Sequence, residues 1–297
     1  MDQADELRNL IRAQHETAKT QISTNARVIT VTSGKGGVGK TSLSLNLALQ
    51  MQKMGKKTVI IDADFGLANI EVMLGIHPKY NISDLIYKDM NIEDVVTEGP
   101  EGIGFISGGS GVSELVNLDK SDLQIFVSKV SRLDRIADVI IVDTGAGISD
   151  AVQEFVLCSP EVLVVLTPEP TSTMDAYALL KALNRRKEFV ADDKSIHVVS
   201  NRVESDKEGE TLFSNISIVA SQFLNIKLDY LGCIPQDMSA TKAVLKQQPV
   251  SLSFPNSTSS KSMKRIAEQL LDVEGADKTS GFVGMFMNLI RSNKSRS

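Results

Sequence analysis

The sequence predicts an α/β protein whose mostly parallel, twisted sheet carries helices on both faces. Strand-like and helix-like segments alternate along the chain, which is typical of that fold class. Segments such as 139–142 and 162–166 are apolar throughout, as strands covered on both faces are. A glycine-rich loop follows the first strand segment and precedes a helical one. With no repeat and no second core, we expect one domain over residues 22–273.

The elements follow one another in a regular order. β-branched runs predict strands, and apolar residues at helical spacing predict helices. The strands are expected at 26–32, 58–63, 103–107, 138–143, 161–167, 196–201 and 228–233. The helices are expected at 3–18, after the loop from 43 to 51, and at 119–133, 173–189, 212–223 and 262–271. The domain is thus flanked by a segment 1–20, a polar linker 274–280 and a terminal segment 281–297.

Composition excludes several classes of protein. No run approaches the roughly 20 apolar residues that a membrane span needs, and the acidic start lacks a signal-peptide core, so we expect a cytoplasmic protein. The two cysteines, Cys158 and Cys233, form no C-x-x-C pair, which disfavours an iron–sulfur cluster, a zinc site or a disulfide framework. The net charge of −5 disfavours a broad nucleic-acid surface.

The loop at 33–42 matches the phosphate-binding pattern G-x-x-x-x-G-K-[ST]. Its backbone N–H groups and the helix that follows can hold phosphate oxygens. Lys40 is expected to reach the β- and γ-phosphates and Thr41 to bind Mg²⁺, whereas Lys35 suggests a nucleotide shared between two subunits. The alternative is a glycine-rich turn with chance lysines. The expected nucleotide contacts are Gly34, Lys35, Gly36, Gly37, Val38, Gly39, Lys40, Thr41 and Ser42.

Three aspartates follow strands at the edge that carries this loop. Because ligands of such sheets bind at the carboxyl ends of the strands, Asp62 and Asp143 are expected to join Thr41 at the Mg²⁺. Asp64 is placed to orient the water that attacks the γ-phosphate, and Gly147 to sense that phosphate. The alternative for each aspartate is a helix cap or a turn.

These residues resemble the MinD/ParA family of P-loop ATPases with a deviant Walker A motif. Residues 34–41 match that motif, 62–69 look like its switch I, and 143–148 look like its switch II. Gly145 stands where the family usually has proline, which loosens the loop but removes no ligand. The resemblance covers nearly all of 26–271 and implies a single-domain, Mg²⁺-dependent ATPase that forms a homodimer on ATP.

Residue roles follow from the same resemblance. Lys35 is expected to reach across the dimer to the partner's phosphates, Lys40 to bind its own, and Asp64 to activate the attacking water. The adenine contacts would be Asn201, Arg202, Pro235, Gln236 and Asp237. The segment 201–204 fails the guanine motif N-K-x-D, so ATP is preferred over GTP.

The C-terminal segment 281–297 carries one apolar helical stripe, formed by Phe282, Met285, Phe286, Leu289 and Ile290. Arg291, Lys294 and Arg296 follow, and the segment has no acid. This pattern is typical of an amphipathic helix on an anionic lipid surface, so we expect peripheral binding to the inner face of the cell membrane. The alternative is a terminal helix docked on its own core.

The N-terminal segment resembles the D-Q-A-x-x-L-R signature of the FlhG family (also called YlxH or FleN) of flagellar-number ATPases. This implies stimulation of the GTPase FlhF, with Gln3, Leu7 and Arg8 as contacts, and flagellar switch-complex (C-ring) proteins as further partners. The alternative for the segment is a frayed leader. A MinD-type division-site ATPase is the alternative for the whole chain, and a scaffold with vestigial ATPase activity also stays open.

Overall fold

An eight-stranded sheet runs through the described part of the chain. The computed structural model describes residues 26–64, 69–88, 90–108, 129 and 132–272. The strands are β1 (Arg27–Ser33), β2 (Thr58–Ala63), β3 (Thr97–Glu98), β4 (Gly104–Ile106), β5 (Val139–Ala146), β6 (Glu161–Leu166), β7 (Ser195–Val203) and β8 (Asp229–Pro235). Their order is β3-β4-β2-β5-β1-β6-β7-β8. Every neighbouring pair is parallel except β3 and β4.

Helices connect the strands. Those of the described residues are α1 (Lys40–Lys53), α2 (Asn69–Leu74), α3 (Asp84–Tyr87), α4 (Ile92–Val95), α5 (Leu133–Ile136), α6 (Asp150–Cys158), α7 (Pro170–Asn184), α8 (Asp206–Leu224), α9 (Met238–Leu245), α10 (Val250–Ser253) and α11 (Thr258–Asp272). Single 3-10 turns lie at Pro100–Gly102 and Ala191–Asp193.

The strand β6 shows why the central strands are mostly apolar. Leu163 and Val165 point to the face that α1 and α11 cover, whereas Val162 and Val164 point to the face that α7 and α8 cover. Successive side chains of a strand alternate between faces, so a sheet covered on both sides favours apolar residues at both sets of positions.

The site lies where the direction of winding reverses. β1 is central, with β5 on one side and β6 on the other, and ligands of open α/β sheets bind in the crevice at such a point. The phosphate-binding loop leaves the carboxyl end of β1 there. In the register of β2 with β5, Asp62 pairs with Asp143, which brings the two predicted metal ligands side by side.

The structure confirms the predicted fold class and the seven predicted strands, with differences of up to three residues at their ends. The antiparallel β3 was not predicted, because two residues show no periodicity. The helix expected at 173–189 is α7, which starts earlier because the fixed φ of Pro170 suits a first helical position. The short helices between β2 and β4 were not predicted either.

Several expected segments lie outside the described residues. They are the helix at 3–18, most of the one at 119–133, the linker 274–280 and the stripe in 281–297. Among the helices that are described, none is both long and apolar enough to pass through a membrane.

Candidate nucleotide-binding site

The loop between β1 and α1 has the backbone of an anion cradle. Gly37 and Gly39 have φ angles of 75° and 95°, a region that residues with a Cβ rarely adopt. Gly39 is the N-cap of α1 and makes no side-chain cap bond. The first N–H groups of a helix have no partner within it, so those of α1 are available to phosphate oxygens.

Two glycines are required by close packing. A Cβ on Gly34 would lie 2.1 Å from the carbonyl carbon of Asp175, because the loop passes directly over the first turns of α7. A Cβ on Gly39 would lie 2.5 Å from Nδ2 of Asn201. A larger residue at position 34 would displace the loop, because it would meet backbone atoms. At position 39 it would displace the side chain of Asn201 and would be strained by the positive φ.

Lys40 is a buried cation at the end of the loop. Its side chain is only 7% exposed, and its Nζ donates to Oγ of Ser33 at 3.0 Å. Burial lowers the pKa of Lys40, while the negative charges of Asp143 and Asp64 oppose that shift. A buried ammonium group next to free helix N–H groups suits an anionic ligand, which would replace the lost solvation.

Asp62 and Asp143 are adjacent and both buried. Burial and the neighbouring charge of Asp143 raise the pKa of Asp62 to about 7. Burial raises the pKa of Asp143 to about 6, although the hydroxyl groups of Thr41 and Ser44 oppose the shift. The raised pKa values indicate that nearby positive charge does not offset the cost of burying these two carboxyl groups side by side.

The same pair fits a Mg²⁺ ion. Oδ1 of Asp143 accepts from Oγ of Ser44 at 2.8 Å, whereas its buried Oδ2 has no hydrogen-bond partner among the described residues. Hard cations prefer such oxygen ligands. No cluster of three metal-binding side chains occurs in the described ranges. A Mg²⁺ here would share its coordination with phosphate oxygens and water, as this ion usually does.

Asp64 lies at the end of β2 and faces the same site. Its Oδ2 accepts from Nδ2 of Asn69 at 2.9 Å, and its N–H donates to Oδ1 of Asp62 at 3.1 Å. Its charge acts on both Lys40 and Asp143. Asp64 therefore lies near Lys40 and Asp143, and its role in orienting a water stays a prediction.

The end of β5, and Gly147 directly after it, form hydrogen bonds to the end of β1, where the phosphate loop begins. The N–H of Gly147 donates to the carbonyl of Ser33 at 3.0 Å, and Gly147 has a φ of 93°. Thr144 donates its hydroxyl to the carbonyl of Val31 at 3.0 Å. A change in either segment must therefore disturb the other.

Lys35 lies on the exposed rim of the loop. Its Nζ donates to Oγ1 of Thr171 at 2.9 Å and to Oε2 of Glu169 at 3.3 Å, both at the start of α7. Hydrogen bonds from Thr167 and Lys35 hold the pKa of Glu169 below its ordinary value. The side chain of Lys35 is 36% exposed, so in this structure it is held within its own subunit but stays open to solvent.

The predicted adenine residues lie together at the carboxyl ends of β7 and β8. Nδ2 of Asn201 donates to the carbonyl of Val38 at 2.7 Å and so braces the phosphate loop. The carboxylate of Asp237 accepts from the N–H groups of Ser239 and Ser259, which caps α9 and α11. Burial alone would raise the pKa of Asp237, but these hydrogen bonds outweigh burial and hold the pKa below its ordinary value.

For the other predicted adenine contacts, Arg202, Pro235 and Gln236, the structure shows how the backbone is held. Arg202 has a φ of 59°, and its N–H is bonded to Oδ1 of Asn201 at 2.9 Å. Pro235 ends β8, and the N–H of Gln236 donates to the carbonyl of Val203 at 2.8 Å. Contact of these residues with adenine stays a prediction.

The sequence did not predict the residues that form hydrogen bonds with the predicted site residues. Ser33, Ser44, Asn69, Glu169 and Thr171 each bond to a predicted site residue. Glu169 could have been suspected, since it is a carboxylate directly after a strand at the ligand edge. The predicted residues of the two ends, Gln3, Leu7 and Arg8 and the apolar stripe from Phe282 to Ile290, lie outside the described residues.

Known proteins resemble the chain over most of its length. A family model described as "ParA: NUBPL iron-transfer P-loop NTPase" matches residues 24–271. The antiactivator FleN of Pseudomonas aeruginosa is 41% identical over 82% of this chain and 86% of its own. The flagellum site-determining protein YlxH of Helicobacter pylori is 32% identical over 91% of this chain and 90% of its own.

Among solved structures, the MinC:MinD cell division complex of Aquifex aeolicus contains a chain of the same fold. The TM-score is 0.64 at 25% identity, and the match covers 84% of this chain and 97% of that one. Sequence and fold comparisons therefore agree with the architecture and with the phosphate-binding loop.

Proposed function

The chain belongs to the MinD/ParA family of P-loop ATPases, in the group of the flagellar regulators FleN and YlxH, and we propose that it is an ATP-dependent switch of dimerisation and membrane association. The switch would control flagellar number and placement. The observation that carries the proposal is the pairing of a buried lysine, Lys40, with an exposed one, Lys35, on the same loop. Lys40 would serve the chain's own phosphates, and Lys35, once released from Glu169 and Thr171, would serve those of a second subunit.

The chain's own residues supply the parts that ATP binding needs. Lys40 and the first N–H groups of α1 would hold the phosphates, and Asn201 would keep the loop in shape through Val38. Asp62, Asp143 and Thr41 would hold Mg²⁺, which neutralises phosphate charge when bound. The free oxygen of Asp143 and its raised pKa support this assignment.

Hydrolysis would depend on Asp64. Phosphoryl transfer is catalysed mainly by positioning and electrostatics, so the protein has to align one water with the γ-phosphate. The carboxylate of Asp64 can accept a hydrogen bond from that water, and Asn69 fixes the direction of the carboxylate. Hydrolysis would then remove the γ-phosphate that joins the two subunits and return the switch to its monomeric state.

Release of Lys35 is an easy step. An exposed ion pair contributes only about 0.2–1 kcal/mol, so its bonds to Glu169 and Thr171 are a small barrier to reaching the partner's phosphates. ATP in a facing subunit would offer a more highly charged acceptor than one carboxylate. The contact within the subunit thus fits a resting state from which dimerisation can proceed.

The outputs of the switch would lie at the two ends of the chain. A single amphipathic helix binds lipid weakly, and two helices held together gain effective concentration, so dimerisation would place the protein on the inner face of the membrane. The N-terminal segment would stimulate FlhF, and C-ring proteins are further proposed partners. Nucleic acid is not among them. Both ends lie outside the described residues, and the sequence alone supports these assignments.

Cosedimentation of the full chain with anionic vesicles tests the switch. The pelleted fraction of an Asp64→Ala variant should be higher with Mg-ATP than with Mg-ADP. Adding Lys35→Ala should return it to the ADP level, and Phe286→Glu should abolish binding with either nucleotide. Equal pelleting of the Asp64→Ala protein with both nucleotides would contradict the proposal.

A separate assay tests the flagellar output. The GTP turnover of FlhF should rise on addition of the full chain but not of a chain lacking residues 1–20. Loss of vesicle binding in the same truncated chain would indicate misfolding, so both assays are run on each preparation. Equal stimulation by both chains would exclude the N-terminal segment as the activator.

A further inference from the structure

Gly145 lies between the metal-side Asp143 and the switch residue Gly147, within the buried end of β5. A Cβ at this position would lie 3.0 Å from Oδ1 of Asp64 and 3.5 Å from its Cγ. The next neighbour, Cγ2 of Val152, would be at an ordinary 3.8 Å. The carboxylate of Asp64 is therefore the group that a side chain at position 145 would disturb.

Backbone conformation does not explain the glycine. Gly37, Gly39 and Gly147 have positive φ angles, but Gly145 is not among the glycines that do. Gly145 forms part of a strand, a conformation that any residue adopts. What distinguishes the position is the room that it leaves for one carboxylate oxygen.

The carboxylate of Asp64 is thus bracketed on both sides. Nδ2 of Asn69 donates to Oδ2 at 2.9 Å, and Oδ1 lies against the bare backbone of Gly145. The N–H of Asp64 is also bonded to Asp62. With the backbone and one oxygen held, a methyl group at position 145 would have to push the carboxylate by a few tenths of an ångström.

We propose that Gly145 is a positioning residue for ATP hydrolysis, because its missing side chain sets where the Asp64 carboxylate rests. The inference depends on the role of Asp64 in the proposed function. Gly145 has no side chain of its own, and it acts through Asp64. It also places the end of β5 against Asp64, the residue after β2, so movement of either alters the alignment of the other.

Turnover of the full chain with vesicles tests the functional part. A misplacement of about 1 Å can cost about 100-fold in rate, so a shift of a few tenths of an ångström in Gly145→Ala should lower kcat several-fold, up to about tenfold. KM for ATP and ATP-dependent dimerisation should stay within about twofold, because ground-state contacts are untouched. A Gly145→Ala protein with the kcat of wild type would overturn the inference.

Stability measurements test the contact itself. Gly145→Ala should lower the urea midpoint of wild type, and the loss should shrink or vanish in an Asp64→Ala background, where the methyl group gains room. An equal loss in both backgrounds would mean that the methyl group meets something else, which overturns the inference. If Gly145→Ala alone does not fold, folding of the double variant supports the contact, and failure of both contradicts it.

The outcomes separate the two proposals. Turnover by Asp64→Ala equal to wild type would refute the catalytic role of Asp64 and with it the effect on rate. Normal dependence on Asp64 together with an unaffected Gly145→Ala protein would refute only the role of Gly145.

Discussion

Replacing Asp143 with asparagine should stabilise the nucleotide-free protein at neutral and higher pH, although it should weaken Mg²⁺-dependent ATP binding. Burial raises the pKa of Asp143 to about 6 from an ordinary 3.8. The unfolded carboxyl group therefore loses its proton at lower pH than the folded one. The stability from this group is present below the unfolded pKa and is lost as the pH rises through about 6.

The size of the effect follows from the shift. One pKa unit corresponds to about 1.36 kcal/mol, so the rise from 3.8 to about 6 destabilises the ionised protein by about 3 kcal/mol. Asparagine is nearly isosteric and has no proton to lose, and its carbonyl can keep the bond from Ser44. Since its NH₂ group needs an acceptor, we expect a net gain of about 1–3 kcal/mol at about pH 8.

The gain in the free energy of unfolding is measured by urea denaturation without nucleotide or Mg²⁺, at about pH 8 and at about pH 4.5. The gain should be larger at the higher pH by about 2 kcal/mol, because at about pH 4.5 the folded Asp143 is still protonated whereas the unfolded carboxyl group, with its ordinary pKa of 3.8, is already largely ionised. Asp237→Asn is the matched control of opposite sign. Hydrogen bonds outweigh burial and depress the pKa of Asp237, so its stabilising effect is lost as the pH falls, and its asparagine variant should lose stability at about pH 8. A destabilised Asp143→Asn protein at both pH values would refute the reasoning.

Three further outcomes are expected. Glu161→Gln should lower the free energy of unfolding by about 3–5 kcal/mol in urea, because it removes the buried partner of Arg27; a loss below about 1 kcal/mol would contradict this. Asn201→Ala should weaken binding of a fluorescent ATP analogue several-fold with a small change in Tm, because the bond to Val38 is lost; unchanged affinity would show that the loop needs no brace. Glu169→Gln should lower the ATP concentration at half-maximal dimerisation, by up to about fivefold, and a rise would give Glu169 a role in the dimer instead.

The fold and the centre of the site were predictable because they depend on local patterns. Apolar strands covered on both faces and a glycine loop before a helix are visible in sequence. Asp62 and Asp143 could be placed together since the carboxyl ends of parallel strands meet at one edge, and the register of β2 with β5 confirms their pairing.

Contacts that depend on tertiary placement were not predictable. The hydrogen bond from Lys35 to Glu169 joins residues 134 positions apart, and it forms only because α7 starts beside the loop. The capping of α9 and α11 by the side chain of Asp237 was not predicted either, whereas its expected contact with adenine stays a prediction. Gly145 was noticed only as a departure from a family pattern, because the neighbour that needs its space lies on another strand.

The molar mass of an Asp64→Ala protein with Mg-ATP, by size exclusion with light scattering, tests the central claim most directly. The proposed switch predicts a dimer with Mg-ATP and a monomer with Mg-ADP. It also predicts that Lys35→Ala in the same background stays monomeric with either nucleotide although it still binds ATP. A dimer of the Lys35→Ala protein with Mg-ATP, or a monomer of the Asp64→Ala protein at saturating ATP, would contradict the claim that Lys35 couples ATP to the association of two subunits.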